Sequence, residues 1–181
     1  VTGYDVENTL QTIDIEGSKT WNDNGDESNR PSSIIINLLA NGTVVDTKEV
    51  TATDNWTWKF EGKPKYESGK EIKYTVLEDP VDGFISSKGD GDYDIVNTPT
   101  KVTINKVEAR NKENLSGATL QIKDADLNVV EEWVTDGTPH VIIGKLAIGK
   151  TYTLVETIAP KGYAVADPVT FTVEEDATKN E

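Results

Sequence analysis

Two strand-like stretches, "YTVLED" (74–79) and "YTLVET" (152–157), each break their own pattern. In an extended chain successive side chains point to opposite faces. Tyr74 and Val76 therefore share a face on which Glu78 also falls, and Glu156 falls in the same way on the face of Tyr152 and Leu154. The stretch "IDIEGSKTW" puts Ile13, Ile15, Gly17, Lys19 and Trp21 on one face, which turns Lys19 inward. In "YDIVNT" the shared face carries Tyr93, Ile95 and Asn97. One small apolar core is thus expected to receive an amine, a carboxylate and a carboxamide.

Burial of an isolated ammonium or carboxylate is costly, so such groups pair or neutralise. Desolvation drives a lysine toward its free amine, a nucleophile, and a glutamate toward the neutral acid, which donates a hydrogen bond and moves protons. Held against the Asn97 carboxamide, the Lys19 amine could attack its carbonyl carbon and expel ammonia, leaving an amide between the two side chains, with Glu78 polarising the carboxamide oxygen. Patterning alone leaves two other readings open. Lys19 and Glu78 could form a buried ion pair with Asn97 hydrogen-bonded nearby, or Lys19 could snorkel out at the strand end.

The elements that must position these residues are short. Runs rich in Val, Ile, Thr, Tyr and Trp alternate with Gly, Asp, Asn and Pro clusters at the spacing of an all-β sandwich or barrel. Strands are expected at 13–21, 33–39, 43–50, 55–60, 71–78, 92–98, 101–108, 117–123, 128–134, 139–143, 150–157 and 168–174, and no amphipathic helix is convincing. "NTPTK" (97–101) separates two runs that each contain a Tyr-x-apolar-x-Glu strand, which predicts tandem domains over 13–98 and 101–181. "GYDVENT" (3–9) matches "DYDIVNT" (92–98) with the asparagines 97 − 8 = 89 positions apart, one domain length. Residues 1–12 therefore read as the tail strand of a preceding repeat plus a linker, and the parent as a longer array.

The 181 residues carry 32 acidic against 18 basic side chains, a net charge of −14 that repels nucleic acid and anionic membrane. No apolar run reaches the roughly 20 residues of a membrane span. No charged-then-apolar leader opens the chain, so a signal or anchor is expected outside these residues if one exists. Cysteine and methionine are absent, which removes disulfides and thiolate chemistry and leaves an extracellular form in need of another staple.

The motifs "GSKTWNDN", "RPSSIIINLLANG", "WTWKF", "PKY", "IKYTVLED", "GF" and "YDIVNT", in that order over 13–98, resemble the Cna B-type repeat of Gram-positive surface adhesins and pilins. "VTINKVEA", "LSGATLQIKDA", "EEWVTDG" and "GKTYTLVETIAPKGYAVADPVTFTV" resemble the related domains of streptococcal fibronectin-binding proteins and pilins. The resemblance implies two small antiparallel β-sandwiches of inverse immunoglobulin-like topology, each able to carry an internal Lys–Asn or Lys–Asp isopeptide bond promoted by a Glu. Position by position the family lysine falls on Lys19, its glutamate on Glu78 and its asparagine on Asn97; in the second domain the lysine falls on Lys106 and the glutamate on Glu156. The second domain departs at its end: after "VTFTV" only "EEDATKNE" follows, so the acceptor for Lys106 is unknown. Asp176 and Asn180 read as a polar turn, and Glu175, at the parity of Phe171 and Val173, is not the family's acceptor. A last strand is expected to be lacking, leaving a groove that a strand from another molecule could fill, the one bearing Asn8 being a conceivable donor.

The function expected from this resemblance is a structural stalk module of an extracellular, cell-surface or cell-wall-anchored adhesin or pilin. Its partners would be neighbouring repeats, and host extracellular matrix protein through the parent, with no nucleic acid, no membrane insertion and no cofactor. The alternative is that the repeats themselves bind a host protein or glycan. His140 has no Cys or paired His nearby in sequence, so triad and zinc chemistry lack their parts. The acidic loops 22–29 and 88–94 lack calcium-loop spacing and read as solvated turns. Trp56 and Trp58 share a strand face and read as core or sheet-covering aromatics rather than a sugar platform.

Overall fold

The structure, a computed structural model, describes residues 3–180. Its strands are β1 (Thr12–Trp21), β2 (Ser33–Ala40), β3 (Thr43–Thr51), β4 (Thr57–Pro64), β5 (Tyr66–Glu67), β6 (Lys70–Glu71), β7 (Tyr74–Glu78), β8 (Phe84–Lys88), β9 (Ile95–Pro99), β10 (Lys101–Ile104), β11 (Ser116–Lys123), β12 (Val129–Asp136), β13 (His140–Ile143), β14 (Thr151–Ile158) and β15 (Val169–Thr172). Among the described residues no helix is long and apolar enough to cross a membrane. The chain divides into two compact units. One comprises the chain up to Asn22 with Arg30–Pro80 and Ser86–Asn97; the other comprises Asp23–Asn29, Val81–Ile85 and the chain from Thr98 on.

In the first unit, alternation drives β2, whose Ile34, Ile36 and Leu38 are buried while their neighbours are only partly covered. Each such side chain contributes roughly 1.5–3 kcal/mol of apolar burial. The β2–β3 hairpin turns on Asn41 (φ 51°) and Gly42 (φ 87°), the paired left-handed conformations that a two-residue hairpin loop needs. Strands β3, β2 and β7 form one sheet and β4, β1, β9 and β8 another. Ile15, Trp58, Phe60, Tyr74 and Ile95 are buried with them. Strand β1 runs antiparallel to β4 but parallel to β9, with Lys19 paired to Ile95 and Trp21 to Asn97. Residues 3–11 lie outside any strand with exposed side chains, Tyr4 and Val6 being 101% and 91% exposed.

The second unit packs a β12-β11-β14-β15 sheet and a β10-β13 pair. Val102, Ile122, Ile142, Leu146, Tyr152 and Val173 form its buried core.

Four strand expectations need correction, and the first, at 92–98, begins only at Ile95. The expected strand 55–60 begins only at Thr57, because Asn55 and Trp56 both have positive φ (52° and 55°) and close a turn. Trp56 therefore does not share a strand face with buried Trp58; it packs edge-on against Trp21 with centroids 5.1 Å apart. The stretch 71–78 splits into β6 and β7, and 101–108 stops at Ile104.

Candidate functional site

The site in the first unit is assembled from three strands of two sheets. Strand β1 delivers Lys19, β7 delivers Glu78 and β9 delivers Asn97, and all three are buried. Main-chain contacts fix β1 around the lysine: Lys19 N donates to Trp56 O at 2.8 Å, and Asn22 N to Asn97 O at 2.8 Å. Asp94 ties the start of β9 to β1 by accepting at Oδ1 from Ser18 N (2.8 Å) and Ser18 Oγ (3.1 Å).

Lys19 Nζ donates to Glu78 Oε1 at 2.5 Å, with both side chains wholly shielded from solvent. The ammonium also lies 4.9 Å from the Trp21 ring, whose backbone is registered against Asn97. Burial lowers the Lys19 pKa from 10.5 to about 8, against the opposing hydrogen bond and charge of Glu78. At pH 7 the free amine is then roughly 300-fold more abundant than for an ordinary lysine.

Asn97 supplies the anomaly. It is completely buried, yet neither its Oδ1 nor its Nδ2 has a hydrogen-bond partner among the described residues, and Glu78 Oε2 is likewise unpartnered. A buried unsatisfied polar group costs about 1–3 kcal/mol, so an amide with both ends orphaned calls for a reason. Glu78 also lines a groove of about 520 Å³ with Val76, Leu77, Ser87, Lys88 and Ile95.

In the second unit Lys106 Nζ stands 3.0 Å from Glu156 Oε1, an ion pair whose Oε1 lacks hydrogen-bond alignment. Glu156 is buried and its Oε2 accepts from Ala166 N at 2.6 Å. Lys106 lies beyond the end of β10 and its side chain is 18% exposed, so strand parity does not carry it as far inward as Lys19. Asn180 does close the polar turn, as its C-cap, without being exposed. Its side chain is buried, its Oδ1 accepts from Glu174 N, and its Nδ2 donates to Glu174 O and Lys101 O. Unlike Asn97, this carboxamide is satisfied. Asp176 does lie exposed in the turn and caps it, accepting from Thr178 N, and Glu175 is exposed because β15 has ended at Thr172.

His140 stacks on Trp133 at 4.2 Å and its Nε2 is 3.2 Å from Glu131 Oε1, a structural contact on β13. Among the described residues no group of His, Cys, Asp and Glu could hold a metal ion.

Residues 15–98 match the family described as Cna protein B-type domain, and residues 100–181 match the prealbumin-like fold domain. This chain is a Cna B-type domain followed by a prealbumin-like domain. Over 77 residues it is 44% identical to the collagen adhesin of Staphylococcus aureus, an alignment that covers 42% of this chain and only 6% of that protein's length. The pilus adhesin SpaC of Lactobacillus rhamnosus GG, in its open conformation, shares the fold at 17% identity. The TM-score is 0.54, over 92% of this chain and 22% of that one. A single B repeat unit of the S. aureus collagen-binding surface protein is 24% identical with TM-score 0.47, covering 88% of this chain and 97% of that one.

Within the Cna B-type domain, Trp21 is the contributor that sequence reasoning placed on the right face without giving it a role. Its ring lies 4.9 Å from the Lys19 amine, and the shared parity of Lys19 and Trp21 is the available signal.

Proposed function

We propose that this chain is a structural stalk segment of a Gram-positive cell-surface adhesin or pilus, whose Cna B-type domain closes an intramolecular amide between Lys19 and Asn97. Its domains span 13–98 and 101–181, and residues 1–12 are the tail strand and linker of a preceding repeat. The segment acts outside the cell, anchored through regions beyond it, and host matrix protein is bound by the parent rather than by these domains. The observation that carries this reading is the buried, unpartnered Asn97 carboxamide registered beside a short Lys19–Glu78 pair.

The Lys19 amine, having lost a proton to solvent, attacks Asn97 Cγ. Glu78 takes a proton from the attacking nitrogen and passes it to the departing one, so that ammonia leaves and an Nζ–Cγ amide remains. The bond forms once per molecule, with no external substrate and no oxidant. Intact mass of the monomeric chain is expected to lie one ammonia below the sequence mass, and a Glu78→Gln variant at the sequence mass plus only the substitution. A parent at the plain sequence mass would return the trio to a buried ion pair beside an asparagine.

The rate should follow the amine. Above pH 8 Lys19 is largely deprotonated; below, each unit of pH removes about nine-tenths of the remaining free amine. Crosslinking on refolding, followed by quenched mass spectra, is expected to accelerate about tenfold from pH 6 to pH 7 and to level off above pH 8. A rate falling with pH over that interval would contradict the free amine as nucleophile.

A further inference from the structure

We propose that two copies of this chain associate side by side through strand β7, the free edge of the β3-β2-β7 sheet, as one antiparallel pair with its two-fold axis at Val76. The contact uses only backbone edges and surface charges of the first unit, and it stands whether or not the Lys19–Asn97 bond has formed. The sandwich of that unit has two lateral sides. On one, the edge strands β3 and β4 are tied together: Lys63 pairs with Asp46, and Lys48 Nζ donates to Lys59 O at 3.3 Å. On the other, β7 and β8 end their sheets, and residues of both line an open groove of about 520 Å³. The backbone of β7 is bonded on one side only. Asn41 N donates to Lys73 O at 2.9 Å and Asp79 N to Ile35 O at 3.0 Å, one at each end of the β2–β7 register. Residues of an antiparallel ladder alternate between exchanging both bonds with the partner and turning both groups away. The odd-numbered residues of β7 thus serve β2. Tyr74, Val76 and Glu78 turn their N–H and C=O groups to the open edge, where no strand pairs with them among the described residues.

Natural sheet edges are blunted by charge, since like charges set opposite one another oppose pairing. Strand β12, which ends the sheet of the second unit, follows that rule: its charged residues, Glu131, Glu132 and Asp136, are all acidic. Strand β7 does not, because the charges flanking it are opposite in sign and symmetric about its centre. Antiparallel pairing about Val76 sets Lys73 of each copy opposite Asp79 of the other, and Thr75 opposite Leu77. The same register sets Tyr74 opposite Glu78 and Val76 opposite Val76, so the unused backbone groups meet as hydrogen-bonded pairs. Of the registers that pair those groups, only this one also pairs the charges. Lys73, Thr75, Leu77 and Asp79 are exposed, Leu77 to 57%. Asp79 Oδ1 accepts from Asn37 Nδ2 at 2.8 Å, which holds the carboxylate in place and leaves Oδ2 for the incoming ammonium. The half-buried Val76 side chains meet across the axis. The contact is isologous and closes at two copies.

Sedimentation equilibrium of the full chain at physiological ionic strength, where the net charge of −14 is screened, is expected to show a monomer–dimer equilibrium. Lys73→Glu and Asp79→Lys each set like charges opposite one another, and each alone should weaken dimerisation about tenfold. Mixed together, the two variants regain an opposite-charge pair at both ends and should associate with each other as well as the parent does with itself. The double variant should likewise recover self-association. Amide hydrogen exchange of the parent locates the contact without relying on any variant: as concentration rises, the N–H groups of Tyr74, Val76 and Glu78 should slow, while those of Thr75 and Leu77, already turned to β2, should not change. A chain that stays monomeric up to about 1 mM would overturn the proposal and leave the edge to an extended segment of a different protein. A dimer in which the Tyr74, Val76 and Glu78 N–H groups exchange as fast as in the monomer, or two single variants that fail to complement each other, would overturn it as well.

Discussion

An Asn97→Ala chain is expected to unfold, in its Cna B-type domain, roughly 15–30 °C below the parent, at about 4–8 °C per kcal/mol for a domain of this size. Lys19 and Asn97 are 97 − 19 = 78 positions apart in the chain. Closing a loop of that length covalently removes conformational freedom from the unfolded state worth about 4 kcal/mol, as a disulfide would. Asn97 is the right residue to change. Lys19→Ala would leave the buried Glu78 without its partner and destabilise by a second route, whereas Asn97→Ala leaves that pair intact and deletes an amide with no hydrogen bonds to lose. Calorimetry should place Asn97→Ala well below the parent and Glu78→Gln lower still, because that change also leaves the buried Lys19 amine without its carboxylate. Unfolding of Asn97→Ala within a few degrees of the parent would remove the crosslink from the account of stability.

The second large effect is expected from the smallest change. Gly17 stands two residues before Lys19 on the same face and is paired with Trp58 across β1 and β4. A methyl group at Gly17 would run into the carbonyl oxygen of Tyr93 and come within 2.7 Å of two carbons of the Trp58 ring. A backbone carbonyl cannot swing aside as a flexible side chain does, so β9 must shift or the Trp58 ring must leave its place. Gly17→Ala should therefore cost about 1–3 kcal/mol of stability. The same shift moves Asn97 relative to Lys19, because β1 and β9 are registered only over Lys19–Trp21 and Ile95–Asn97. A misplacement of about 1 Å at a reacting centre costs on the order of 100-fold in rate. Time-resolved mass spectra on refolding should show that slowing, and an unchanged rate would mean that the close approach at Gly17 does not set the geometry.

What sequence reasoning could reach depended on whether a residue sat inside a regular strand. Lys19, Glu78 and Asn97 do, and the two-residue period placed all three on the buried face. Lys106 does not, since β10 ends two residues earlier, and counting parity from Val102 overstated its burial. Asn180 lies in the polar turn that its neighbours signal, yet its carboxamide docks on backbone groups of Lys101 and Glu174 that no local pattern reveals. Strand β8 escaped because "FISSK" buries only Phe84, so a sheet-edge strand of mostly exposed residues has no apolar alternation to read. Trp56 was misplaced because two consecutive positive φ angles, at Asn55 and Trp56, end the extended run, and a tryptophan is an unusual residue to find there.

The parallel pairing of β1 with β9 has a mechanical meaning once Lys19 and Asn97 are joined. Tension applied at Thr12 and Pro99 then travels along β1 to Lys19, across the new amide, and out through the last residues of β9. The intervening chain lies off that path. Without the bond, pulling the domain apart would release roughly 250 Å of slack at about 3.4 Å per residue; with it, the domain keeps its length under force until a covalent bond breaks.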